Sequence, residues 1–129
     1  MLDIVVVDIV RGPTGGPLGW LDGWWTKRGY ASLMPQAVSA WCRRRGHRVR
    51  YHVYRGQGSL ANLVEAPIDV LFVSAHTPLG PLAVALARLA KRNGARTVIG
   101  GPHARAFPAE CRRAFDVTVI ACDAALIDD

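Results

Sequence analysis

Two short stretches of this chain are almost continuously apolar, and a third alternates strictly between apolar and polar positions. Leu2–Val7 (LDIVVV) and Ile68–Val73 (IDVLFV) are rich in β-branched residues and too short for buried helices, so each reads as a strand covered on both faces. In His47–Tyr54 the residues Val49, Tyr51 and Val53 face one way, and Arg48, Arg50, His52 and Tyr54 the other. That period of two belongs to a half-exposed strand near a sheet edge. Thr97–Ile99 and Val117–Ile120 are shorter runs of the same kind.

Helical spacing fills the gaps between these strands. Ser32–Arg45 carries Pro35 in its first turn, places Leu33, Val38, Trp41 and Cys42 near one face, and meets Gly46 at the position just past its end. Arg43, Arg44 and Arg45 fall in its last turn, where the helix dipole favours cations. Ser59–Glu65 is a short helix ended by Pro67. Pro81–Asn93 has the clearest stripe, Leu82, Ala85, Leu86 and Leu89, and is closed by Gly94. Pro108–Ala114 is a further helix. From Asp8 to Ala31 the chain holds six glycines with Pro13 and Pro17 among them and supports no regular element, so it reads as a long loop.

The order β-α-β-α-β-α-β-α-β implies an α/β fold: a five-stranded parallel sheet with helices on both faces. With the second strand half exposed, the expected strand order is 2-1-3-4-5. A fifth helix would cover the last strand, but only Asp123–Asp129 is left to begin one. The expectation is therefore one domain over residues 1–129, its last helix supplied by a larger protein or its place taken by a partner.

Composition narrows the class. At 129 residues and 50% hydrophobic, the chain suffices for one core. Its apolar runs are far too short to span a bilayer. The opening Met1-Leu2-Asp3-Ile4 carries an acid into the first strand, unlike a secretory leader. Cys42, Cys111 and Cys122, spaced 69 and 11 apart, make neither a disulfide framework nor a metal box. A reduced, cytoplasmic, soluble domain is expected.

The formal charge of +6 comes almost wholly from 14 Arg against 2 Lys. Eight of these 16 cations lie between Lys27 and Arg55, with no acid between Gly23 and Val64, whereas the chain from Asp116 onward carries four acids and no base. Such a band suits a nucleic-acid surface, an acidic partner, phosphate groups or plain solvation. No nucleic-acid motif accompanies it.

In an open parallel sheet, ligands bind outside the carboxyl ends of the strands. Three unusual segments fall there: the long first loop, Ser74-Ala75-His76-Thr77-Pro78, and Gly100-Gly101-Pro102-His103. A Gly pair lets a ligand approach the backbone closely, or simply makes a tight turn. There is no Gly-x-Gly-x-x-Gly or Walker signature, and the acidic cluster and late Lys of a receiver domain are missing.

Taken together, Leu33-Met34-Pro35, Gly46-His47-Arg48-Val49, the strand Ile68–Val73, Ser74–Thr77, the helix Pro81–Asn93, Thr97-Val98-Ile99-Gly100-Gly101-Pro102-His103-Ala104, Phe107-Pro108 and Phe115-Asp116-Val117 resemble the cobalamin-binding domain at the amino end of cobalamin-dependent radical S-adenosylmethionine enzymes. The resemblance covers most of the chain outside Ile9–Gly29 and implies a flavodoxin-like fold that holds cobalamin, vitamin B12, at its strand ends. The cofactor's nucleotide tail would lie in a slot between the loops after the third and fourth strands. Ser74 and Thr77 would offer hydroxyls and backbone groups, Gly100 and Gly101 would leave room, and Pro102 and His103 would border the slot. Ala121-Cys122-Asp123 would close its other side.

Two departures refine what is implied. The Asp-x-His-x-x-Gly signature of methionine-synthase-type cobalamin domains, whose His is a lower cobalt ligand, is replaced here by Asp8-Ile9-Val10-Arg11-Gly12, so the resemblance implies base-off cobalamin without a lower His, as in the radical S-adenosylmethionine group. The last-strand loop reads Ala121-Cys122-Asp123-Ala124 where the family often has Gly-Glu-Gly-Glu. The three cysteines also lack the Cys-x-x-x-Cys-x-x-Cys spacing of a 4Fe–4S site, so no catalytic residue is assigned. The expected role is to present cobalamin to a radical S-adenosylmethionine catalytic domain, most simply of a methyltransferase.

Single residues keep two readings. His76 and His103 are ligand contacts or ordinary loop histidines, and Asp8 either caps a loop or bonds a ligand. His47 and His52 are structural or solvent-facing, Cys42 is core, and Cys111 and Cys122 read as inert thiols. Trp20, Trp24, Trp25 and Tyr30 form a lid, meet a partner or staple their loop. The competing function is a flavodoxin-like interaction or regulatory domain that binds no cobalamin.

Overall fold

The computed structural model describes residues 1–10, 33–56 and 58–120. Its elements run β1 (Asp3–Ile9), α1 (Leu33–Arg44), β2 (Arg48–Tyr54), α2 (Leu60–Leu63), β3 (Val70–Ala75), α3 (Gly80–Arg92), β4 (Arg96–Gly100), α4 (Pro102–Ala106), α5 (Pro108–Ala114) and β5 (Val117–Thr118), with a 3-10 turn at Thr77–Leu79. The five strands are all parallel in the order β2-β1-β3-β4-β5. This is the flavodoxin-like arrangement expected from the strand runs, with the alternating strand at an edge.

The sheet splits the apolar residues into two layers by the parity of each strand. Val5, Val7 and Ile9 of β1, with Leu71, Val73 and Ile99, build the larger core beneath Ala83, Leu86, Ala87 and Ala90 of α3 and Cys111 of α5. Ile4 and Val6 face the other way and meet Val38 and Cys42 of α1, with Trp41, Val49, Tyr51, Val70 and Phe72 packed around them. Helices thus lie on both faces.

Several boundaries differ from the sequence pattern, for physical reasons. Asp8 does not begin a loop. It is fully buried within β1, pairs in register with Val53 and Ser74, and is followed by the equally buried Ile9 and Val10. β3 runs on to Ala75, so Ser74 lies inside a strand, opposite Asp8 on one side and Gly100 on the other. The segment Gly100-Gly101-Pro102-His103 is not a loop either: Gly100 ends β4, Gly101 alone makes the turn at φ +91°, and Pro102 opens α4. A pre-set proline φ at the first helical position lets the helix start there. β5 pairs over two residues, extended by the Val119 N–H donating to the Ile99 carbonyl at 2.8 Å. The first loop beyond Val10, the Trp20/Trp24/Trp25 cluster and Ala121–Asp129 fall outside the described residues.

The amino end of the sheet is tied by polar groups. The Asp3 N–H donates to Asp69 Oδ2 at 2.7 Å, and Arg48 Nη2 donates to Asp3 Oδ2 at 2.7 Å. Arg50 Nη2 donates to the Glu65 and Pro67 carbonyls at 2.8 and 2.7 Å. Part of the arginine-rich band therefore holds β2 to its neighbours.

Candidate functional site

The carboxyl ends of β1, β3 and β4 carry a register row, Asp8–Ser74–Gly100, on the α1 side of the sheet. Residue size falls along this row until, at Gly100, no side chain is left. A Cβ there would meet nothing closer than the Val119 carbonyl at 3.9 Å. The space so vacated belongs to a cleft of about 560 Å³, part of it open to solvent. Val6, Phe72 and Val98 form its floor, Met34, Pro35 and Val38 of α1 one wall, and Val119 and Ile120 the edge beyond β4. Ser74, Gly101 and Arg105 stand at its carboxyl-end rim.

The cleft exists because α1 covers β1 and β2 while the described residues place no helix over the same face of β4 and β5. Exposed apolar side chains line it, Met34 at 37% and Ile120 at 55% exposed, and Leu33, 78% exposed, precedes Met34 in the chain. Contiguous apolar surface of this kind marks a binding site more often than bare solvent contact.

Of the residues singled out in the sequence, Ser74, Gly100 and Gly101 come together at the cleft. The two glycines have different tasks. The room at Gly101 is already filled, since a Cβ there would lie 2.7 Å from Ser74 Oγ and 3.5 Å from the Ala75 nitrogen. Only Gly100 leaves space open. Asp8 is buried beside Ser74 in the row, behind the rim. His76 and Thr77 are exposed around the 3-10 turn, where the His76 carbonyl accepts from the Leu79 N–H at 2.9 Å, and neither lines the cleft.

Pro102 and His103 do not border the cleft as the resemblance implied. Once Pro102 begins a helix, successive side chains diverge by about 100°. His103 is carried to the larger-core side, 5% exposed, against Gly80 and 5.5 Å from the Phe107 ring. The same rotation brings Arg105 to the cleft, a residue the sequence pattern gave no reason to separate from the other arginines. Its spacing of four from Gly101 was the available signal, and it required knowing that α4 exists. Ala121 and Cys122 lie outside the described residues.

Electrostatics disfavour the thiolate form of the two described cysteines. Burial raises the Cys42 thiol, partly offset by Arg45, and burial then Glu110 raise Cys111. The Tyr51 phenol is raised by burial and next by the charge of Asp8, with Arg55 opposing. Its hydroxyl and that of Ser39 are buried with no hydrogen-bond partner among the described residues. Among the described residues no group of three or more His, Cys, Asp or Glu could hold a metal ion, and no helix is long and apolar enough to cross a membrane.

No family model, curated protein or solved structure matches this chain.

Proposed function

We propose that this chain binds cobalamin in its base-off form, with the cofactor's nucleotide tail in the cleft between α1 and the sheet, as a module of a cobalamin-dependent radical S-adenosylmethionine enzyme, a methyltransferase. The observation that carries this reading is the Gly100 vacancy in an otherwise apolar cleft at the carboxyl ends of β3 and β4. An aromatic base needs such apolar walls, and the rim supplies the few polar groups, Ser74 and Arg105, that fix orientation.

The chain's residues would act by holding and shielding. Val6, Phe72 and Val98 exclude water from one face of the tail, Val38 and Pro35 from the other, and the Ser74 hydroxyl offers a hydrogen bond at the rim. Bound cobalamin would supply methyl-group transfer at its cobalt. The residues from Asp8 to Gly12 include no His to serve as a lower ligand, in keeping with base-off binding. The reaction itself would belong to a catalytic domain carrying the iron–sulfur cysteines, and an intracellular, cytoplasmic setting suits that chemistry.

Incubation with hydroxocobalamin followed by desalting tests the reading. Corrin absorbance should remain with the native chain at one equivalent. Gly100→Leu, which fills the cleft without a strained φ, should lose it while keeping native circular dichroism. A native chain that retains no corrin overturns the proposal. That result would favour an interaction domain whose exposed Leu33, Met34 and Ile120 meet a protein partner.

A further inference from the structure

Among the described residues that line the cleft, Arg105 is the single charged side chain. Its Nε donates to the Ile120 carbonyl at 3.2 Å, and its backbone N–H to the Gly101 carbonyl at 3.2 Å. No carboxylate among the described residues pairs with it, and its two Nη groups make no hydrogen bond with any of them. Arg48, by contrast, is paired with Asp3, and Arg50 is tied to two carbonyls. Fixed by one bond to a backbone carbonyl at the mouth of an apolar cleft, this guanidinium turns two parallel donors to no partner among the described residues, and that fork matches an oxyanion.

We infer that Arg105 is the anion anchor of this cleft, so that the ligand is an apolar aromatic group bearing a phosphate, and affinity depends on that phosphate. The apolar walls select the ring, and the fork at the rim selects the charge attached a few bonds away. The anchor deepens the cobalamin reading, from which it takes the phosphate in place of another oxyanion. Neither the Gly100 vacancy nor Ser74 distinguishes a phosphorylated tail from a neutral one, so among the described residues Arg105 sets this preference.

The test compares α-ribazole with α-ribazole 3′-phosphate, small probes that share the aromatic base and differ in the phosphate that cobalamin's tail carries at that position. By isothermal titration the native chain should bind the phosphate form about tenfold more tightly, the scale of one charge-assisted pair at a partly exposed site. Arg105→Gln should abolish that preference, costing the phosphate form most of its advantage and α-ribazole far less, and Arg105→Lys should keep part of it, having the charge without the fork. Equal affinity of the native chain for both probes, or binding of neither, overturns the anchor. So does an Arg105→Gln chain that weakens both probes alike, because the residue would then act only through Ile120. Retention of hydroxocobalamin is read separately: a chain that keeps the corrin but shows no phosphate preference loses the anchor alone, and one that prefers the phosphate but keeps no corrin loses the cofactor alone.

Discussion

At the scale of single residues, two glycines show how one missing Cβ serves opposite ends. Gly101 has φ +91° and ψ −169°, a region that residues with a side chain seldom enter, and Ser74 Oγ fills the space where a Cβ would stand. Gly101→Ala should therefore lower stability by about 1–3 kcal/mol in urea titration. Adding Ser74→Ala should restore only part of the loss, since it removes the overlap and leaves the strain; full recovery would show that overlap was the whole cause. Gly80 has an ordinary helical φ of −51°, where alanine normally gains about 0.5–1 kcal/mol over glycine. Here a Cβ would lie 2.7 Å from His103 Nε2, and Phe107 flanks the imidazole. The sign should reverse: Gly80→Ala is expected to cost about 1–3 kcal/mol, as overpacking does, and to become neutral or favourable with His103→Ala. The sequence marked Gly101 and His103 as noteworthy, but their roles hinge on contacts with Ser74 and Gly80, which lie 27 and 23 positions away. No local pattern records those contacts.

At the scale of elements, the weakest strand is held by one carboxylate. The Thr97 N–H and hydroxyl donate to Asp116 Oδ2 at 2.8 and 3.0 Å, and the Asp116 N–H donates back to Thr97 Oγ1 at 3.1 Å. The Thr97 backbone bond holds the Asp116 carboxyl below its ordinary 3.8, with further help from the Thr97 hydroxyl, Lys91 and Arg96, while partial burial pushes it the other way. A carboxyl lowered in the folded state stabilises fully above its unfolded value, and that contribution is lost as pH falls through the folded one. The urea midpoint should thus drop from about pH 5 downward to below pH 4, and Asp116→Asn should flatten that drop while lowering the midpoint at pH 7. An unchanged acid limb in the variant would assign the effect to other carboxyls. The strands were legible because buried parallel strands are apolar at nearly every position, and β2 because an edge strand is not. The ends of β1 and β3 were not legible: Asp8 and Ser74 read as breaks, yet ladder bonds to their neighbours carry the strands through them. α4 was hidden for a related reason, since Gly-Gly-Pro is turn chemistry, and here the turn is one residue long.

At the scale of the whole molecule, the two ends of the sheet differ in kind. The amino end is closed by Asp3, Asp69 and Arg48, whereas the carboxyl end on the α1 side opens into the cleft. A ligand there touches α1, β3, β4 and the strip beyond β5 together, so it should stabilise the edge more than the centre. Amide exchange with saturating hydroxocobalamin should slow most at Val119, whose N–H is the last backbone bond tying that edge to β4, and little at Val5. Equal slowing at both would mean that the ligand stabilises the fold only globally. The charge asymmetry read from composition proves to be partly internal, because Arg48 and Arg50 are engaged within the sheet edge.

The single-residue passage from β4 to α4 has a consequence for how this chain can change in length. Gly100 is strand and Pro102 is helix, so the joint holds no slack in which an inserted residue can hide. One insertion would displace Ser74's neighbour, the open floor and Arg105 at a stroke. The exposed turn at Asn93 and Gly94, between α3 and β4 at the other end of the sheet, does not line the cleft and has no such burden. Length variation among descendants of this sequence should accumulate at that turn and be purged at Gly101, which makes the joint a ruler for the site.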